Sequence, residues 1–323
     1  APQHEQPDDV ETTLAPLGAE TIIAPSSPAP SLDNSPDLRD PATVISFFEW
    51  AAKANMETPG RTGCVVDLPD HGQLLMSGDL HDNTPNLRKL LLLADLAAAD
   101  HHLVLHEVIH SGRRVSGMDL SIRILAQVAR LKLQYPDRIH VMAGNHEWAQ
   151  LMGSGILKGG TDVVEAFSRG VEYLYGEQAE AVTEAMNRFI RTMLLAVRCA
   201  NGILCTHSLP SPRRIDGFDD TILERMPTRV DFKRDGPVYE LVWGRNHDEF
   251  VAEEIGEAWE ADMFIMGHQP AGIGYDIEGY NMLILASDHD HAMALPIDLS
   301  RKYDIDTLIQ ALVPLASVDE ETV

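Results

Sequence analysis

The feature that most constrains the fold is a format repeated five times: a short apolar run, a tight turn, then side chains bearing carboxylate, amide or imidazole. The five segments are Ser77-Gly78-Asp79-Leu80-His81-Asp82-Asn83, Leu105-His106-Glu107-Val108-Ile109-His110-Ser111-Gly112, Ala143-Gly144-Asn145-His146-Glu147, Cys205-Thr206-His207-Ser208 and Met266-Gly267-His268-Gln269. Between them the apolar period changes to that of helices. Leu87, Leu90, Leu91, Leu93 and Leu96 follow a Thr84-Pro85 opening, and Leu120, Ile124, Leu125, Val128 and Leu131 run up to Pro136. A largely helical stretch is expected from about Thr161 to Leu195. Strand-like runs recur at Cys64–Leu68, Gln73–Met76, Leu103–Leu105, Ile139–Met142, Ala196–Arg198, Ile203–Cys205, Phe264–Met266 and Met282–Leu285. Two of their connections read as hairpin turns, Pro69-Asp70-His71-Gly72 and Asn201-Gly202. The alternation predicts an α/β fold, and polar groups just after strands are where open α/β sheets build their sites.

Oxygen and imidazole donors arriving from five strand ends can converge on two divalent cations. A mixed set of this kind suits Mn, Fe or Zn better than Ca or Mg. Two metals about 3.5–4 Å apart clamp the attacking and leaving oxygens of an in-line displacement.

In their order and spacing these segments resemble the calcineurin-like metallophosphoesterases, and within them the serine/threonine phosphoprotein phosphatases. That family shows GDxHG, GDxVDRG, GNHE, a His after a strand and a late His; this chain has Gly78-Asp79-Leu80-His81-Asp82, the divergent 106–112 segment, an intact Gly144-Asn145-His146-Glu147, His207 and His268. The resemblance spans roughly residues 62–290. It implies a four-layer α/β/β/α sandwich of mixed sheets and a two-metal centre (Mn, Fe or Zn). Asp79 and His81 would bind the first metal, Glu107 would take the bridging position, and Asn145, His207 and His268 would complete the second. It further implies a metal-bridging hydroxide as nucleophile and His146 as general acid, acting on phosphate monoesters.

The second motif departs from the family. Glu107 lengthens the bridging Asp by a methylene, His110 replaces the Asp that orients the catalytic His, and Ser111 replaces a phosphate-gripping Arg. Arg113 and Arg114 follow at once and are candidates to reach back; for the later phosphate-binding Arg the candidates are Arg245 and also Arg213 or Arg214. Three other readings accompany these changes: a diadenosine polyphosphate-type hydrolase, a degenerate protein that binds phosphate without turnover, and a zinc protease. The last rests on His106-Glu107-Val108-Ile109-His110, which spells H-E-x-x-H but follows a strand, where that motif needs a helix. Ser287-Asp288-His289-Asp290-His291 is rich in metal-competent groups, yet an ordinary loop past a strand explains it better.

Composition sets the outer limits. Asp and Glu number 50 against 25 Lys and Arg in 323 residues, a net charge of −25. Such a surface repels nucleic-acid backbones, so the expected partner is a phosphorylated protein or small phosphoester. No apolar run reaches the roughly 18 residues of a membrane span, and the opening Ala1-Pro2-Gln3 stretch shows no leader pattern. Cys64, Cys199 and Cys205 are too few for a disulfide framework and suit a reducing, cytoplasmic setting. Residues 1–40, acidic and Pro-rich, read as a disordered tail; 41–314 as the catalytic domain; 315–323 as a short acidic tail. The oligomeric state is left open.

Overall fold

The computed structural model describes residues 25–26, 36–158 and 160–319. Most of the expected N-terminal tail and the last four residues lie outside them. The first helix, α1 (Pro41–Met56), starts where the Asp40 carboxylate accepts from the Thr43 backbone N–H and Pro41 presets the first turn. There follow β1 (Arg61–Thr62), β2 (Val65–Leu68), β3 (Gln73–Asp79), α2 (Thr84–Ala94), β4 (His101–His106), α3 (Ile122–Gln134), β5 (Ile139–Met142) and α4 (Asn145–Met152). The middle of the chain holds β6 (Leu157–Lys158), β7 (Thr161–Asp162), α5 (Val163–Tyr175), α6 (Ala179–Arg191), β8 (Ala196–Cys199) and β9 (Ile203–Thr206). The last part holds α7 (Pro237–Trp243), α8 (Glu249–Trp259), β10 (Met263–Met266), β11 (Tyr275–Glu278), β12 (Met282–Leu285), β13 (Met293–Asp298), α9 (Ile305–Ala311) and β14 (Val313–Pro314).

Two mixed sheets carry the fold, one ordered β1-β2-β8-β9-β10-β12-β11 and the other β14-β13-β3-β4-β5. β3, β4 and β5 run parallel, as do β9, β10 and β12, so their C-terminal ends lie together at one end of each sheet. The period-2 pattern sorts side chains between two cores. Leu74, Met76, Val104, Met142, Val197, Cys205, Ile265 and Leu283 face inward and pack sheet on sheet. Their neighbours Leu75, Leu103, Val141, Ala196, Leu204 and Phe264 face outward and pack with helical residues such as Phe47, Leu90, Leu125, Phe189 and Val251. This is the four-layer α/β/β/α sandwich. The sheets also touch at their strand ends, through isolated parallel bridges Asp79↔Ala286 and Met142↔Leu194.

One expected hairpin is absent. The Pro69–Gly72 segment leads from β2, which pairs with β8, to β3, which pairs with β13 and β4, so it carries the chain from one sheet to the other. The Asn201-Gly202 turn does join an antiparallel pair, β8 and β9. All three cysteines are buried free thiols. Leu315–Ser317 form a 3-10 turn with Leu315 buried against the core. No helix among the described residues is long and apolar enough to cross a membrane.

Candidate metal centre

Three of the five polar segments leave their strands through backbone few residue types accept. His81, Glu107, His110 and His268 all have positive φ, between 37° and 67°. That conformation costs non-glycine residues roughly 1–3 kcal/mol, and its clustering is typical of functional sites. The turns fold inward as a result. Leu80 and His81 N–H groups donate to the Glu107 carbonyl, and Asp82 N–H donates to that of Val108.

Two glycines make room for the convergence. A Cβ on Gly144 would lie 1.8 Å from Glu107 Oε2, and one on Gly267 would lie 2.1 Å from Asp79 Oδ1. Between these two walls the donors gather into two groups, each close enough to share an ion: Asp79, His106 and His207, and His81, Glu107 and His146. Glu107 Oε1 lies 3.3 Å from His81 Nε2, and its Oε2 lies 3.3 Å from His207 Nε2. The carboxylate thus spans both groups. Asn145 Oδ1 lies 2.9 Å from both His207 Nε2 and His268 Nδ1. Asp79 is held by the His268 backbone N–H on Oδ2. All six sequence-expected ligands therefore meet.

A further donor, His106, joins them. It closes β4 fully buried, with Nε2 2.7 Å from His207 Nδ1 and Nδ1 3.5 Å from Asp79 Oδ1. The family has glycine at this position, so the motif gave no reason to expect a ligand there. The sequence signals were its place at the end of an apolar strand and the H-E-x-x-H spelling, which assigned it to a different kind of centre. His106 and His110 lie on no common helix face, which removes the zinc-protease reading: residues 107–110 form a loop, and His110 points instead at His146.

The donor set fits cations. Asp79 Oδ1, His106 Nδ1 and His268 Nε2 are buried with no hydrogen-bond partner among the described residues, an arrangement that costs free energy unless something positive fills the space between them. Burial pushes the Asp79 carboxyl up to about 8 and, aided by Asp79 and Glu147, raises Glu107 well above its ordinary range. The same desolvation pulls His81 and His106 down to about 3, and His207 and His268 well below the ordinary value. Neutral imidazoles and carboxylates short of positive charge are the state a dication corrects. His81 is also oriented for it: its Nδ1 donates to the Ile109 carbonyl, leaving Nε2 for an ion.

Behind these donors, Glu147 is a buried brace that sequence reasoning left without a role. Its carboxylate accepts from the Val108, Ile109 and Gly144 N–H groups, fixing the Glu107 loop against the start of α4. His146 is set by a second chain. Ser168 Oγ donates to the Val164 carbonyl, so it accepts from Gln150 Nε2, which turns Gln150 Oε1 toward His110 Nε2 at 3.0 Å. His110 Nδ1 then accepts from His146 Nδ1 at 2.8 Å, leaving His146 Nε2 to face Glu107.

The arginines divide. Arg245 is exposed; partial desolvation lowers its pKa, while the Glu107 and Asp79 carboxylates oppose the shift, so its guanidinium senses the centre. Its loop is anchored by Ser208 Oγ donating to the Gly244 carbonyl and by His247, whose Nδ1 lies 2.6 Å from Glu278. Arg113 and Arg114 line a separate cavity beside Asp82. Arg213 is exposed on the loop after Leu209, and Arg214 pairs with Asp235. The 287–291 tract is structural: Ser287 Oγ accepts from Gly78 N–H and donates to the Met293 carbonyl, while the Asp288 carbonyl accepts from Asn83.

Residues 73–293 match the calcineurin-like phosphoesterase family, a span that runs from the start of β3 to β13 and holds every donor described above. The chain belongs to that family. Membership carries the enzyme class, a metal-dependent phosphatase. Among solved structures, a protein serine/threonine phosphatase from Saccharomyces cerevisiae matches with TM-score 0.62 at 14% identity, over 85% of this chain and 93% of that one. At that identity the likeness speaks for the fold alone. A cold-active protein-tyrosine phosphatase from a Shewanella species (11% identity, 77% and 80% covered, TM-score 0.48) and a metallophosphoesterase from Sphaerobacter thermophilus (14%, 71% and 84%, TM-score 0.37) are more distant.

Proposed function

We propose that this phosphatase hydrolyses phosphate monoesters, with phosphoserine and phosphothreonine in proteins as the substrate class, using two metal ions of the Mn, Fe or Zn type. Asp79, His81, Glu107, Asn145, His207 and His268 would hold the ions, with His106 as a further donor. The observation that carries the reading is the single Glu107 carboxylate reaching both donor groups while His146 stands beside it. Bound metals supply an activated water at neutral pH and neutralise phosphate charge.

The protein's own groups do the rest. Asn145, being an amide, contributes a donor without adding negative charge, so the site stays attractive to a dianionic ester. Arg245, a cation in electrostatic contact with both Asp79 and Glu107, grips the phosphate. His146 Nε2 carries the proton delivered to the departing alkoxide, its ring held by the bond to His110. Where the family uses a carboxylate to steady that ring, a neutral imidazole does it here, which weakens support for the protonated form and makes leaving groups that need a proton the harder substrates.

The test is turnover of p-nitrophenyl phosphate and a phosphoserine peptide by the Mn²⁺-loaded full chain. Asp79→Asn and His146→Gln are each expected to abolish phosphate release while leaving the circular-dichroism spectrum intact. Unchanged turnover in both variants refutes the assignment.

A further inference from the structure

Among the described residues, a cavity of about 450 Å³ opens next to the metal centre, lined by Asp82, Arg113, Arg114 and Arg123 above an apolar floor that includes Leu120 and Ile124. The backbone ties it to the site. Asp82 directly follows the donor His81 and its N–H donates to the Val108 carbonyl, while Arg113 lies three residues past His110. Three guanidinium groups against one carboxylate invert the balance of a chain whose acids outnumber its bases two to one. The lining acid Asp82 is already engaged, by a hydrogen bond with the Ser111 side chain and by the charges of Arg113 and Arg123, and the one other acid acting on it, Asp119, faces Arg114 and is itself tied to backbone N–H groups. Arg114 Nε is buried with no hydrogen-bond partner among the described residues, so a donor at the cavity is left unsatisfied. Asp119 fixes the loop that presents Arg113 and Arg114 by accepting from Ser111 N–H and Ser121 N–H.

We propose that this cavity is a second anion subsite, which makes the preferred substrate a phosphoester carrying another anionic group, carboxylate or phosphate, a short distance from the phosphate that is cleaved. The proposal rests on the phosphomonoesterase reading above. Guanidinium forks recognise either oxyanion through paired charge-assisted hydrogen bonds, and the apolar floor accepts the aliphatic stem that joins it to the reacting phosphate.

The experiment compares kcat/KM of the full-length, metal-loaded enzyme on phosphoserine peptides with alanine, glutamate or a second phosphoserine placed at each of the three positions on either side. At least one acidic peptide is expected to exceed its alanine counterpart about tenfold, a difference near 1.4 kcal/mol. Arg114→Gln and Arg123→Gln are expected to shrink that ratio to about threefold or less, and Arg123→Glu to shift the preference toward a lysine-bearing peptide. The glutamate and phosphoserine arms separate the two sources of the anion. A wild-type ratio near one at every position, or a ratio untouched in all three variants, overturns the subsite. Because absent turnover would indict the catalytic assignment instead, binding of the same peptides to the full-length Asp79→Asn protein is followed by fluorescence anisotropy. Equal affinity for acidic and neutral peptides there overturns the cavity reading on its own.

Discussion

Gly144→Ala separates the geometry of the metal centre from its chemistry, because it removes no functional group. Gly144 has extended backbone (φ −96°, ψ −173°), which alanine adopts without strain. The added methyl, however, would stand 1.8 Å from Glu107 Oε2 and 2.7 Å from His207 Cε1. Ordinary contact begins near 3.4 Å, so the carboxylate must retreat by about 1.6 Å. That displacement exceeds the ±0.2 Å or so within which a ligand keeps its ion, and it breaks the Glu107 acceptor bond to the His146 N–H. The expected result is loss of at least one bound metal and a fall in kcat/KM of about 100-fold or more. Overpacking alone costs about 1–3 kcal/mol, so the melting temperature falls only a few degrees. Gly217→Ala is the control, since a Cβ there meets nothing within 4 Å. Metal content by mass spectrometry and turnover of p-nitrophenyl phosphate decide it. Full metal occupancy with activity within about threefold of wild type would refute the argument that this glycine exists to admit the carboxylate.

Three further outcomes follow from the same contacts. The metal-free protein should be most stable near pH 6.5: the fold retains protons on Asp79 (up to about 8 from an ordinary 3.8) and Glu107 that the unfolded chain sheds, so stability falls as pH rises toward 8. Below 6.5 the unfolded chain takes up protons that the buried His81, His106 and His110 refuse, so stability falls again; urea unfolding in chelator at pH 5.5, 6.5 and 8 reads both limbs, and a steady rise to pH 8 contradicts the account. Gln150→Leu strips His110 Nε2 of its acceptor, and kcat should drop about tenfold for phenyl phosphate but under about threefold for dinitrophenyl phosphate, whose leaving group needs no proton; equal losses would show that the chain does not serve proton delivery. Glu278→Gln weakens the bond that holds His247 and the Arg245 loop, so KM should rise about fivefold with metal content unchanged, and an unaltered KM removes Arg245 from phosphate binding.

Much of this was readable from the sequence, for a physical reason. A strand of four to seven largely apolar residues ending in Gly-Asp, Gly-Asn-His or Gly-His states both where the chain is buried and where polar atoms emerge, so the α/β class was visible before any coordinates, while the set of six donors came from the resemblance to the phosphoesterase motifs. What stayed hidden depends on direction. Pro69–Gly72 signals a reversal equally well whether the next strand pairs with the last one or leaves for the facing sheet, and only pairing partners distinguish the two. His106 is an ordinary strand residue until His207 stands opposite it. Glu147 looks like one more acidic group in a motif, yet three backbone N–H groups make it a brace. Arg113 and Arg114 follow the motif closely enough to suggest the phosphate, but the loop tied by Asp119 presents them to the neighbouring cavity instead.

The donors come from both halves of the sandwich. Asp79, His81, His106 and Glu107 leave the ends of β3 and β4, and Asn145 and His146 follow β5, all from one sheet, whereas His207 and His268 follow β9 and β10 of the other. Any ion shared by Asp79, His106 and His207 is therefore a rivet through the seam where the two sheets meet edge to end. Chelation should loosen the whole molecule along that line, so amide exchange would quicken first at Ser287 and Leu194, whose N–H groups donate across it to the Asp79 and Val141 carbonyls and which bind no metal at all.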